Sequence, residues 1–283
     1  MCEQCTRRQF IGTGAAAGGF MLAGAAWAHA WVADTPPKPM KKARICVIFS
    51  GPPGPEDRGW NADPKQKAAM RARLEEAEKK LGNVELLIGD SNSSAQTAAL
   101  LAQAGPDAPV LAINLNCFSL TQLVHPILEG NHPMVVFSLP ASGHDWMYPH
   151  RWQRRGHPVT LFPTNDYNEL ERALRLLRTV ALMRQTRIVL FPPARGTARA
   201  QSPDEIKQRL GADVVAVDEK TFDDLISSAD DGEVRAEAAR WSSGAKAIVE
   251  PNQDDIVKAA RISVALQNLM RQQHSQGLAI GTC

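Results

Sequence analysis

Two rhythms of apolar and polar positions alternate along this chain. Short, mostly apolar runs fall at 43–50, 84–88, 110–115, 134–139, 159–162, 187–191, 214–217, 247–249 and 278–280. Runs of this kind, rich in Val, Ile and Leu, read as strands buried on both faces. Between them the apolar positions recur every three or four residues. Met70, Leu74, Ala77 and Leu81 form one such series, stopped by Gly82, and Leu170, Ala173, Leu174, Leu177 and Ala181 form another. That spacing places one stripe on one helix face, so amphipathic helices are expected there. Cap signals sit where the rhythm changes. Ser119 and Gln122 form a capping box ahead of Leu120, Leu123, Val124 and Ile127, and Pro203 follows Ser202 at another helix start. Val257, Ala260 and Val264 mark the last helix.

Strand–helix repeats with fully apolar strands define an α/β fold class: two Rossmann-like domains whose parallel sheets are covered by helices on both faces. The expected division is a signal peptide at 1–30, a linker at 31–42, a first domain at 43–157 and a second at 158–283. The second is expected to be truncated at its end, because the chain stops at Cys283 directly after an apolar run. In such sheets ligands bind beyond the carboxyl ends of the strands.

The first thirty residues read as a targeting segment. Arg7-Arg8-Gln9-Phe10 precedes a weakly apolar run rich in Gly and Ala and then Ala28-His29-Ala30. These are the parts of a twin-arginine secretory signal. The run is too short and too small-residue-rich to span a bilayer comfortably. The expectation is a periplasmic or extracellular protein that meets the twin-arginine translocase during export and keeps no stable membrane span after cleavage. Cys2 and Cys5 would leave with the signal.

Composition narrows the partners. The chain has 283 residues with 32 basic against 30 acidic side chains, so no charge excess argues for nucleic acid. The mature portion keeps Cys46, Cys117 and Cys283, an odd number that argues against a disulfide framework.

Candidate chemistry gathers at expected strand ends. In the loop after the first strand, Arg58 can donate to sugar hydroxyls and Trp60 offers an apolar face to a pyranose ring. A solvated loop with its tryptophan packed over the sheet edge accounts for the same residues. Asn116, with Asn114, ends the third strand, and amides there suit hydroxyl recognition or loop capping equally. Glu250 follows the expected strand 247–249 and is placed to act as a base or metal ligand. The segment 143–157 gathers His144, His150 and His157 with two tryptophans, Tyr148 and three arginines. Its histidines have no zinc-site spacing, so a lid between domains or a subunit contact is expected. No P-loop, nucleophile elbow or His-Glu-x-x-His is present.

From about residue 158 onward the chain resembles exported proteins of the L-fucose/L-arabinose isomerase-like group. The likeness is carried by Pro163-Thr164-Asn165-Asp166-Tyr167 leading into 170–187, by Ala247-Ile248-Val249-Glu250-Pro251, and by 254–269 followed by Leu278-Ala279-Ile280-Gly281-Thr282-Cys283. The resemblance implies two Rossmann-like domains followed by a C-terminal domain, which is expected to be missing from this chain. It implies an aldose–ketose isomerase of carbohydrate metabolism, using a divalent metal, typically manganese, held by two carboxylates and a histidine. Glu250 is the one family-like carboxylate here. A chain ending at 283 is then expected to be inactive. The implied partners are a small sugar and further copies in a homo-oligomer. Two doubly wound domains behind an export signal equally describe a type I periplasmic sugar-binding protein, or a remnant without catalysis.

Overall fold

The computed structural model describes residues 40–51, 61–117, 119–140, 145–193 and 202–281. The expected signal peptide, most of the linker, Arg58 and Trp60 lie outside the described residues. The chain divides into two compact units, Met40–Asp218 together with 277–281, and Glu219–Gln276.

The larger unit holds two parallel sheets. Strands β1 (Ala43–Ser50), β2 (Val84–Ser91), β3 (Val110–Asn114), β4 (Met134–Ser138) and β5 (Val159–Pro163) form the first, in the order β2-β1-β3-β4-β5. Helix α1 (Pro64–Leu81) links β1 to β2, and α2 (Ser94–Ala104) links β2 to β3. Short helices α3 (Ser119–Leu123) and α4 (His125–Glu129) precede β4; α5 (Met147–Arg154) precedes β5, and α6 (Asn168–Met183) follows it.

Alternation within each apolar run sorts side chains to the two faces. Ile45, Val47 and Phe49 join Leu111, Ile113, Val135 and Phe137 on one face, where the α1 and α6 stripes cover them. Cys46 and Ile48 join Val110, Ala112, Met134 and Val136 on the other, under α2, α3, α4 and Trp152 of α5. The fully apolar strands are thus explained by two covered faces. Burial pushes the Cys46 thiol up to about 12, which leaves it a small inert hydrophobe. Neither Cys46 nor Cys117 is in a disulfide.

The first sheet extends past the boundary expected at 157. β5 pairs along β4 in register from Met134↔Val159, and the buried Leu170, Ala173, Leu174 and Leu177 of α6 belong to the same core. An apolar strand after a loop joins whichever open edge it reaches, and β4 offers that edge. The second sheet is smaller: β6 (Arg187–Leu190), β7 (Asp213–Ala216) and β8 (Gly277–Ala279) in the order β7-β6-β8, with α7 (Pro203–Leu210) before β7.

The smaller unit packs α8 (Glu219–Ser227), α9 (Asp231–Gly244) and α10 (Gln253–Gln272) around Val234, Ala238, Ala260 and Val264. No strand forms at 247–249, where Val249 is 86% and Ile248 47% exposed. Three apolar residues specify a strand weakly. Pro251 has no amide hydrogen for a ladder, and Asn252 with Asp255 closes a capping box that draws the chain into α10.

One ion pair in this unit is well formed. Arg240 donates through Nε and Nη2 to the two carboxylate oxygens of Glu237, at 2.8 Å each. The fork from Arg240, with help from Ser263, holds the Glu237 carboxyl below its ordinary range. Its stabilisation is present above the unfolded-state pKa and is lost as pH falls through the depressed folded value. Glu237→Gln is expected to cost about 1 kcal/mol at pH 7. That cost disappears in strong acid; urea unfolding at both pH values checks it.

Candidate functional site

The order of the first sheet reverses between β1 and β3, and that switch opens a crevice at their carboxyl ends. Ser50 ends β1 and Asn114 ends β3, side by side in register. Both are buried, as is Ser138 at the end of β4. Each apolar run therefore finishes on a polar side chain inside the protein.

Those side chains satisfy one another. Asn114 Nδ2 donates to Asp145 Oδ2 at 2.7 Å, and its Oδ1 accepts from the Ser119 hydroxyl at 2.7 Å. A donor on one side and an acceptor on the other fix the amide's orientation. The Ser50 hydroxyl donates to the Ile113 carbonyl at 3.1 Å. Trp146 Nε1 donates to Ser138 Oγ at 3.0 Å, which carries the network to β4. Asp145 is 1% exposed, so this network is built into the floor of the crevice.

The mouth is more open. Asn116 and Asn61 are half-buried and form an isolated antiparallel bridge, with the Ala62 amide donating to the Leu115 carbonyl at 2.6 Å. On the other side of β1, Gly51 donates its amide to the Ser91 carbonyl at 2.9 Å. The residues on either side of 52–60 are thereby anchored at strand ends.

A second polar group lies at the carboxyl end of the sheet, on the side of α1. Lys67 reaches Asp90 at 2.7 Å and lies 5.5 Å from the Phe49 ring centroid. Tyr167 meets Phe137 edge-on at 6.5 Å. Burial, and then the Asp63 carboxylate, raises its hydroxyl above the ordinary tyrosine range. Both effects favour the neutral phenol, a donor and acceptor at once.

The residues expected from sequence fare differently. Asn116 stands at the crevice mouth as expected. Arg58 and Trp60 lie outside the described residues. Glu250 is exposed on the irregular segment between α9 and α10, in the smaller unit, and no strand end supports it. Ser119, expected as half of a capping box, instead sends its hydroxyl into the crevice network. Ser50, Ser138 and Asp145 were missed. For the two serines the signal was present, since each closes an apolar run just as Asn114 does. Asp145 is the single acid in a basic, aromatic stretch, and nothing local ties it to Asn114.

The isomerase resemblance implies a divalent metal, and the donor set is the test. Among the described residues no group of three His, Cys, Asp or Glu side chains could hold one. Glu250 has no such companions among them, so the described residues do not fit the implied ion. Among the described residues no helix is long and apolar enough to cross a membrane. No protein-family model and no curated protein matches the chain.

Proposed function

We propose that this chain is an exported, Rossmann-like, sugar-recognising protein similar to the aldose–ketose isomerases, and that a small sugar binds in the β1/β3 crevice. One observation carries the reading. Amides and hydroxyls, with Asn114 locked in orientation, converge at the switch point where doubly wound sheets take their ligands. Sugars present alternating donors and acceptors, and an amide answers both with one group. Asn116 lies at the mouth, and Arg58 and Trp60 fall within 52–60, whose flanking residues Gly51 and Asn61 are held there.

Binding without turnover is the activity these residues support best. That favours the sugar-binding reading over catalysis by this chain alone, since Glu250 is exposed and stands apart from the crevice residues in the chain. The test is thermal stabilisation by free aldoses and ketoses of five and six carbons, with and without manganese, alongside an assay for ketose formation. A bound sugar raises Tm by mass action, worth about 2.7 kcal/mol at a hundredfold excess over Kd. Asn116→Ala is expected to weaken binding about tenfold, read as the ligand-induced shift relative to each chain's own unliganded Tm. A ligand-induced shift equal in the variant and the natural chain would move the site elsewhere. Ketose formation by the chain alone would restore the catalytic reading.

A further inference from the structure

Three exposed arginines, Arg151, Arg154 and Arg155, gather at the end of α5. Many of the chain's long cations have acidic partners, among them Arg44 with Glu85 at 2.8 Å, Lys80 with Glu171 at 2.9 Å, Lys207 with Asp213 at 2.7 Å and Arg209 with Glu205 at 2.7 Å. Arg151, Arg154 and Arg155 are exposed and, among the described residues, form no ion pair. The sequence explains why. From 146 to 165 there is no aspartate or glutamate at all.

The helix that carries these arginines is held firmly. Trp152 is buried in the core on its side of the first sheet, and Tyr148 stacks on it with ring centroids 6.3 Å apart. The guanidinium groups therefore project from a rigid base, beside Met147, which is 67% exposed. Three unmatched cations next to an exposed methionine form a contact surface that lacks its anionic half. Self-repulsion among like charges is otherwise unrelieved.

The missing half is present on the same chain. From Asp218 to Asp231 the sequence holds six acidic residues and one lysine. In α8, Phe222 and Leu225 turn inward, at 7% and 8% exposure, which leaves Asp223 and Asp224 on the outer side, both exposed. We propose that the basic face of α5 docks a second copy of this chain through the acidic face of its α8. The two patches differ, so the contact is heterologous, each copy offering one half to the next, and it closes a ring or extends a chain. Carboxylates suit this surface because guanidinium forks bind them in pairs.

The experiment is sedimentation velocity of the full chain over a range of concentrations, at low and high salt. Association is expected at low salt and is expected to weaken at least about tenfold in high salt, as exposed ion pairs are screened. The triple variant Arg151→Glu, Arg154→Glu, Arg155→Glu and the double variant Asp223→Arg, Asp224→Arg should each sediment as monomers. Mixed in equal amounts, the two variants should associate again, which a merely misfolded protein would not do. Milder Arg→Gln and Asp→Asn versions, with circular dichroism, guard against a folding loss. A monomer under all conditions, association that survives both variants, or no recovery on mixing overturns the proposal. So does a monomeric natural chain that binds phosphatidylglycerol vesicles through these arginines, which would assign the surface to a membrane.

Discussion

Replacing Gly51 by alanine is expected to destabilise the protein by about 3 kcal/mol and to abolish sugar-induced stabilisation. Gly51 directly follows β1, with φ at +83°, in the region that favours glycine. A Cβ there would lie 2.7 Å from the amide atoms of Asn116 and 2.8 Å from Ser119 Cβ. The Asn116 side chain could swing aside, but Ser119 Cβ is fixed to its backbone. Relief therefore has to come from displacing α3 or the end of β1, and either movement disturbs both amides of the crevice. Gly82 provides the control. It also has positive φ, at +69°, yet a Cβ there would meet nothing within 4 Å. Gly82→Ala should cost only about 1 kcal/mol, the backbone penalty alone. For a domain of this size the difference amounts to several degrees in Tm. Equal losses from the two variants would show that backbone conformation, and not the crowded crevice, sets the cost at Gly51.

The same crevice shows what a sequence conveys and what it withholds. Strands β1, β3 and β4 were legible because both faces are covered, which makes each run almost wholly apolar, whereas the partly exposed edge strands β2 and β5 carry Glu85 and Thr160 within theirs. The stripes of α1 and α6 were legible for the complementary reason, one covered face each. At 247–249 the pattern misled. Three apolar residues carry a strand's composition but too little buried area to hold a ladder position, and Pro251 and the Asn252 cap compete for the backbone. The division at 157 failed differently. Pattern identifies β5 as a strand, but only the open edge of β4 decides which sheet it joins.

For the site, position outweighed residue type. Asn114 and Asn116 stood out because amides at the end of an apolar run lie at the carboxyl edge of the sheet. Ser50 and Ser138 obey the same rule, and their small side chains hid it. Asp145 lies 31 residues from Asn114 in sequence. No periodicity links a residue before α5 to the end of β3; that pairing exists only once β3 and β4 are side by side and Asp145 stands at the β3 end. Glu250, which the resemblance also points to, follows a strand end that the structure lacks.

Asn114 itself should be the most sensitive position of the crevice. Asn114→Leu keeps the approximate volume but withdraws the donor from Asp145 and the acceptor from Ser119, both in a buried setting. Breaking such a network is expected to cost about 3–5 kcal/mol. Asn114→Asp is more informative, because it substitutes a carboxylate 2.7 Å from the one already present at Asp145. Two carboxyls that close cannot both ionise, so one of them takes a raised folded-state pKa. An acid whose folded pKa lies above its unfolded value of about 3.9 destabilises the fold once pH exceeds that unfolded value, and the penalty levels off above the raised one. Asn114→Asp should therefore approach the natural chain in stability near pH 4 and fall furthest behind it at about pH 8. Urea unfolding across that range measures the gap. A gap that stays constant with pH would mean that the introduced carboxylate does not face Asp145, and the crevice network would have to be redrawn.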